Sequence, residues 1–129
     1  MQYTKEMQLG KRRKPKQRDR TRIKKEDYQR MIEHWGAFCI VCGSPHIEAH
    51  HVRFRSRGGK GRWRNLLPLC QDHHRDAHTH DSTRKEYENK LEQEFGQHFW
   101  CDEFDLYDMG LIEHPTVREY EKYFEGVKK

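Results

Sequence analysis

The sequence predicts a small α+β domain whose stability depends on bound metal more than on a large apolar core. Only 33% of its 129 residues are hydrophobic and 36% are charged, and the mean hydropathy is −1.30. A chain this short and polar buries little apolar surface, and such domains often rely on a metal or on disulfides. Two short extended segments lie between helical patterns, and paired Cys and His residues have metal-ligand spacing.

The N-terminal half contains a predicted helix, two short strands and a second helix. Gly36 is a suitable stop for the first helix, and residues 47–54 and 65–69 are the extended segments. Pro68 predicts that the second strand has a short ladder or lies at an edge. The second helix is expected from just after Cys70 to about His78. The apolar face of the first helix consists of Tyr28, Met31, Ile32 and Trp35, at helical spacing.

Two capping-box patterns predict helices in the C-terminal half. Thr83 is followed by Glu86, and Thr116 by Glu119, at the spacing that caps a helix N-terminus. Glycines 96 and 126 are the expected ends of these two helices. Residues 98–112 between them are aromatic and acidic and show no clear period.

Charge is distributed unevenly along the chain. Residues 1–75 carry a net charge of +12 and residues 76–129 a net charge of −7, within a total of +5. A basic half of this strength is typical of a polyanion binder. Residues 11–25 contain ten Lys or Arg and one acid. Such a run repels itself, so residues 1–22 are expected to be a flexible arm that binds phosphates, acts as a nuclear localisation signal, or does both.

Composition also bears on the cellular compartment. The sequence has no apolar stretch long enough to span a membrane, and its N-terminus lacks the apolar region of a secretory signal. A cytoplasmic protein is therefore expected. In a reducing cytoplasm, four cysteines at short spacing favour metal binding over disulfides.

Two chelating pairs predict a structural zinc site. Cys39 and Cys42 are separated by two residues, as are Cys70 and His73. Two intervening residues let a turn direct both side chains at one ion, and structural Zn²⁺ prefers four N or S ligands. The Cys3His set closes that count. Cys101 stands alone among aromatic residues and is expected to be a buried thiol.

Four further histidines are candidates for a second, catalytic metal site. His74 and His78 are four residues apart on the predicted helix and share one face. His50 and His51 are adjacent, so on a strand they point to opposite sides. His50, His74 and His78 can therefore supply a divalent-ion site, while His51 can serve as a general base for a water.

Basic side chains in the connecting loop are candidates for gripping DNA phosphates, because cations form strong hydrogen bonds to phosphate oxygens. A divalent ion would neutralise charge on the scissile phosphate in such a reaction. The loop residues expected to contact DNA are Arg53, Arg55, Arg57, Lys60, Arg62 and Arg64.

These residues resemble the HNH, or His-Me finger, endonuclease family. The resemblance covers about a third of the chain, residues 39–78, and rests on several spacings that agree together. The matching pieces are Cys39-Ile40-Val41-Cys42, Glu48-Ala49-His50-His51-Val52, Gly58-Gly59, Asn65-Leu66-Leu67-Pro68-Leu69-Cys70, His73-His74 and His78.

The resemblance implies a ββα-metal core with defined roles. It implies that His50 and His74 bind the catalytic ion (Mg²⁺, Mn²⁺ or a similar metal), that His51 is the base, and that His78 is a further ligand in some members. Asn65 resembles the middle residue of the motif, which holds the loop against the strand and orients the base. Where relatives have a second Cys-x2-Cys, this chain has Cys70 and His73. Helix geometry favours His73 over His74 as the fourth zinc ligand, because His74 pairs with His78.

The predicted function is metal-dependent DNA hydrolysis by a nuclease domain at residues 23–129, with its motif core at 39–78 and a helical extension at 82–126. Small proteins of this kind are frequent in phages and bacterial mobile elements, which implies double-stranded DNA and DNA-packaging or other DNA-processing proteins as partners. The alternative is a zinc-stabilised DNA-binding module without catalysis, which leaves the four additional histidines unused. An RNA-binding protein is a third reading, since basic arms do not distinguish RNA from DNA.

Overall fold

The structure is a computed structural model and describes residues 14–127. Its two strands are β1 (Glu48–His51) and β2 (Leu66–Leu69). Short 3₁₀ turns at Arg55–Arg57 and Trp63–Asn65 lie in the connection between them. The helices are α1 (Gln17–Thr21), α2 (Lys25–Trp35), α3 (Gln71–Thr79), α4 (Asp81–Phe95), α5 (Glu103–Asp108) and α6 (Val117–Val127).

The strands form an antiparallel hairpin in which His50 pairs with Leu67 and His51 with Leu66. Successive side chains of a strand point to opposite faces, so the two histidines face opposite sides of β1, as predicted. Pro68 lies inside β2, opposite Ala49, and its carbonyl accepts a hydrogen bond of 3.0 Å from the Ile40 N–H. The turn with two thiols therefore lies beside β2, at the edge where a proline is tolerated.

Helix α3 begins directly after β2, with Cys70 as its N-cap, and returns across the sheet. It ends at Thr79, one residue beyond the expected end. This strand–strand–helix unit confirms the predicted α+β core. The residue after β1, residues of β2, α3 and α4, and residues of the C-terminal part pack into one cluster, whose buried members include Val52, Leu67, Leu69, Ala77, Tyr87, Leu91, Phe99, Cys101, Leu106, Tyr120 and Phe124.

The structure matches some of the predicted helix ends and starts and not others. Gly36 and Gly96 follow α2 and α4 with φ of 98° and 94°, a region that favours glycine. Helix α4, however, begins at Asp81, two residues before Thr83. Its N-cap is His80, whose side chain makes no capping hydrogen bond, so the capping box predicted at Thr83 is wrong. The Thr116 hydroxyl does cap α6, accepting from the Glu119 N–H at 3.2 Å, and Gly126 lies within that helix.

Residues 98–112 contribute to the core although they show no periodic pattern. Phe99, Cys101 and Leu106 have no exposed surface. Asp102 and Asp105 form a reciprocal capping box at the start of α5, which the sequence analysis did not identify. Cys101 is buried, as predicted, and this burial raises the pKa of its thiol.

The end of the predicted basic arm packs against the domain. Residues 17–21 form the helical turn α1, and Arg20 makes hydrogen bonds to Asp102 of 2.8 and 2.9 Å. The structure thus differs from a free arm at these positions, because α5 supplies carboxylates for the arginine. Residues 1–13 of that arm lie outside the described residues, and the domain boundary at residue 22 stays a prediction. None of the helices in residues 14–127 combines the length and apolar character needed to cross a bilayer.

Candidate functional site

The predicted zinc ligands converge at one point. The ligand atoms of Cys39, Cys42, Cys70 and His73 all lie within 4.8 Å of one another. The Cys42 and Cys70 sulfurs are 3.8 Å apart, and the Cys39 sulfur is 3.6 Å from His73 Nδ1. A tetrahedron with Zn–S bonds of about 2.3 Å has edges of about 3.8 Å between sulfurs, so these spacings fit zinc.

The cluster also favours the anionic form of one ligand. Burial opposes ionisation of Cys39, but backbone N–H groups of Cys70, Cys42 and Val41 donate to its sulfur and lower its pKa to about 6. Hydrogen bonding to Cys70 in turn raises the pKa of His73. A thiolate is the form that binds a metal, so the backbone prepares Cys39 for that role.

A second cluster consists of the three histidines expected to hold the catalytic ion. His50 comes from β1, and His74 and His78 come one turn apart from α3, with their nearest ring nitrogens within 4.8 Å of one another. The ring of His78 stacks on Phe54 with a centroid separation of 4.7 Å. Strand and helix therefore present one group of imidazoles to a common point.

His50 is the deepest member of this cluster. Its side chain is 1% exposed, and neither ring nitrogen has a hydrogen-bond partner among the described residues. Burial, followed by the charges of His74 and His78, lowers its pKa to about 3. A buried nitrogen without a partner costs free energy, and coordination by the neutral imidazole would remove that cost. The three-histidine donor set thus fits a divalent ion.

A carboxylate lies within hydrogen-bond distance of one ring nitrogen of His74. His74 Nδ1 lies 2.7 Å from Glu48 Oε1, which is at the start of β1. A carboxylate that accepts from one ring nitrogen leaves the other nitrogen to bind a metal, and this arrangement recurs in metalloproteins. The sequence analysis assigned Glu48 no role, since only the hairpin register brings it to the helix.

His51 lies on the other side of β1, where its Nε2 is 2.7 Å from the Thr21 carbonyl oxygen. A carbonyl only accepts, so Nε2 carries the proton and Nδ1 keeps a free lone pair. Burial lowers the pKa of His51, although the Thr21 carbonyl opposes that shift. The nearby charge of Arg55 lowers it further. His51 is therefore held as a neutral imidazole with one accepting nitrogen.

The Asn65 side chain makes hydrogen bonds to the connecting loop on both sides of its turn. This side chain is fully buried, accepts from the Arg53 N–H at 2.8 Å, and donates to the carbonyls of Arg53 at 3.1 Å and Lys60 at 2.8 Å. Gly59 makes this closure possible, because a Cβ there would lie 1.7 Å from the Arg53 oxygen. The loop is thereby closed between the residues that follow β1 and the residue that precedes β2.

Three of the basic residues expected to bind DNA are structural instead. Lys60, Arg62 and Arg64 have side chains only 5%, 14% and 7% exposed, and each is paired with an internal carboxylate. Arg64 also lies over Trp63 and between other aromatic rings. Their carboxylate partners come from distant parts of the chain and are Asp105 for Lys60, Asp27 and Glu103 for Arg62, and Glu121 for Arg64.

The remaining candidates differ in availability. Arg53 is half-buried, lies over Trp100 and is 3.6 Å from Glu88. Arg55 and Arg57 are exposed on the 3₁₀ turn, and neither has an ion-pair partner in residues 14–127. The free cations near His51 are therefore fewer than the sequence suggests.

Taken with the hairpin and helix, the three-histidine cluster defines a protein of the ββα-metal class. Residues 39–80, about a third of the chain, match the model of the HNH endonuclease family. An uncharacterized protein of Escherichia coli (strain K12), YdfU, is 36% identical over 63 residues, which cover 46% of this chain and 18% of that protein. The match thus spans less than a fifth of the length of this curated relative. No solved structure matches the chain significantly.

Proposed function

We propose that this chain is a metal-dependent endonuclease that hydrolyses DNA phosphodiester bonds, nicking one strand or cutting both. The observation that carries the proposal is that two adjacent histidines on β1 have different surroundings, each suited to a different catalytic role. His50 is buried with both nitrogens unpartnered, and His51 is neutral with one nitrogen free to accept a proton. A DNA-binding module without catalysis requires neither feature.

The proposed reaction is an attack of water on the scissile phosphorus. His51 Nδ1 takes a proton from the water as its oxygen bonds to phosphorus, and the bond from phosphorus to the 3′ oxygen breaks. The 3′ oxygen takes a proton from solvent, which leaves 5′-phosphate and 3′-hydroxyl ends. A divalent ion such as Mg²⁺ or Mn²⁺, held by His50 and His74 with His78 as a third ligand, would stabilise negative charge on the phosphate.

Zn²⁺ in the Cys3His cluster has a structural part in this proposal. Its ligands precede β1 and follow β2, so one ion would join both ends of the hairpin that carries His50 and His51. The thiolates that this site needs suit a reducing cytoplasm, in a bacterial host or a phage-infected cell. Double-stranded DNA is the proposed partner, within packaging or another DNA-processing task.

The test compares His51→Ala with wild type on supercoiled plasmid in Mg²⁺, in Mn²⁺ and in EDTA. Loss of a general base typically lowers the rate by about 10²–10⁴-fold, so the variant should bind DNA normally and cleave it at least about 100-fold more slowly. His46→Ala is the matched control, because this exposed histidine belongs to neither cluster. Equal cleavage by His51→Ala and wild type at saturating metal would refute the assignment of the base.

The metal ligands give a separate signature. His74→Ala should weaken cleavage in a way that excess metal partly restores, because two imidazoles of the cluster remain. His51→Ala should show no such rescue. Cleavage by wild type that persists unchanged in EDTA would refute the metal-dependent reaction.

A further inference from the structure

A basic groove lies on the face of the hairpin that carries His51. It has a volume of about 510 Å³, and α1 and the residues after it form one wall, with Arg55 and His51 on the other side. Arg18, Arg22 and Arg55 are exposed along it and have no ion-pair partner in residues 14–127. Asp19 is the single acid of the lining, so the groove is cationic.

The wall formed by α1 is fixed by two independent contacts. The Arg20 guanidinium is 9% exposed and bonds to both carboxylate oxygens of Asp102 and to Asp105. On the other side the Gly61 N–H donates to the Arg20 carbonyl at 3.0 Å, and a Cβ on Gly61 would lie 2.3 Å from the Arg22 oxygen. Arginine 20 is thus used for docking, while its neighbours 18 and 22 are left facing solvent.

The same segment sets the state of the proposed base. The Thr21 carbonyl accepts from His51 Nε2, so the docked backbone selects the tautomer in which Nδ1 has the lone pair. Thr21 is itself 2% exposed, and its hydroxyl donates to the Arg18 carbonyl at 3.1 Å, which stabilises the turn. The orientation of His51 therefore depends on the docking of α1 against the domain.

We propose that residues 17–22 complete the catalytic groove, where Arg18, Arg22 and Arg55 bind neighbouring DNA phosphates while the Thr21 carbonyl positions His51. The inference rests on the proposed nuclease function. In this proposal the end of the basic arm binds DNA at a fixed position beside His51, whereas the sequence predicts only a flexible arm that binds phosphates. Thr21 acts through His51 and is a positioning residue.

Binding tests the arginines without any need for catalysis. The affinity of a labelled DNA duplex in EDTA is measured across salt concentrations for wild type and for Arg18→Ala/Arg22→Ala. Loss of two phosphate contacts should lower the log–log salt slope by about 1.8. The affinity lost between about 50 and 200 mM salt should then be roughly tenfold smaller than for wild type. Arg118→Ala/Lys122→Ala on α6 removes the same charge from exposed, unpaired positions elsewhere in the described residues.

Two outcomes of this experiment separate the inference from the proposed function. If the salt slope of DNA affinity changes no more than in the α6 control, the proposed phosphate-binding role of the groove is wrong, even if wild type cleaves plasmid. A reduced salt slope supports phosphate binding by the groove arginines, even if wild type fails to cleave and the nuclease proposal is wrong. Because the two arginines are exposed, both variants should fold, so either result is decisive.

Positioning is tested with Arg20→Gln, which removes the ion pairs that dock α1. The ring-nitrogen NMR signals of His51 should show the Nε2–H tautomer in wild type and a mixture in the variant. At saturating DNA and metal, kcat should fall about 10–100-fold with zinc content unchanged, as expected for a misplaced catalytic group. Gly61→Ala displaces the same segment from its other side and should reproduce both effects. Unchanged tautomer and unchanged kcat in a folded variant would overturn the positioning role.

Discussion

Asn65→Ala should destabilise the protein more than any change to an exposed polar side chain. The fully buried Asn65 amide makes three hydrogen bonds, one accepted and two donated. At about 1 kcal/mol per bond the truncation should cost about 3 kcal/mol, and more where a buried backbone group stays unpaired. Small domains have a free energy of unfolding of about 5–15 kcal/mol, so this is a large share of it.

The measurement is urea unfolding followed by tryptophan fluorescence at constant zinc. With a urea m-value of about 1–3 kcal/mol/M, a loss of 3 kcal/mol lowers the midpoint by about 1–3 M. Asn89→Ala on the exposed face of α4 is the matched control and should change stability by no more than about 0.5 kcal/mol. Asn65→Asp should destabilise at least as much, because the oxygen that replaces Nδ2 would face the carbonyl oxygens of Arg53 and Lys60. A loss below about 1 kcal/mol for Asn65→Ala would refute the reasoning.

Three further predictions concern stability. Gly59→Ala should lower the urea midpoint, since overpacking costs about 1–3 kcal/mol, whereas Gly126→Ala, with open space around it, should stabilise α6 by up to about 1 kcal/mol; equal effects would contradict the loop closure. Cys70→Ser, or a strong zinc chelator, should lower the thermal midpoint and expose the remaining thiols to reagent; unchanged thiol reactivity would exclude a bound metal. Burial opposes ionisation of Asp102, but Arg20 holds its pKa below its usual range, so its contribution is present above about pH 4 and disappears as pH falls through the lowered pKa. In Arg20→Gln the free energy of unfolding, measured by urea unfolding, should therefore depend less on pH below about pH 4. The same pH dependence in variant and wild type would contradict the pairing of Arg20 with Asp102.

Sequence patterns predicted the parts of the site that depend on local spacing. The Cys39–Cys42 and Cys70–His73 pairs sit on a turn and on a helix start, so their convergence needs little beyond the hairpin. The opposite orientation of His50 and His51 follows from strand alternation alone. Two four-residue strands and one helix were therefore enough to position the histidines.

Contacts between distant segments were beyond the reach of those patterns. Nothing local distinguishes Arg64, buried against aromatic rings and Glu121, from the exposed Arg57, because the carboxylate comes from α6. The partner of His51 is a backbone carbonyl, which every residue possesses and no pattern can single out. The core role of residues 98–112 likewise depends on a capping box and on burial, since the segment has no period.

The pairing between the two oppositely charged halves of the chain has a practical consequence for anyone who trims it. Asp102, Glu103, Asp105 and Glu121 pair with arginines and a lysine of the basic half. A fragment that stops soon after the HNH segment would leave Arg20, Lys60 and Arg64 without their carboxylates and Arg62 with Asp27 alone. It should adhere to heparin or bulk nucleic acid more strongly than the intact chain. Greater apparent affinity of such a fragment would report unmasked charge rather than recognition. In the intact chain the acidic half therefore neutralises Arg20, Lys60, Arg62 and Arg64, whereas Arg18, Arg22 and Arg55 beside His51 stay exposed.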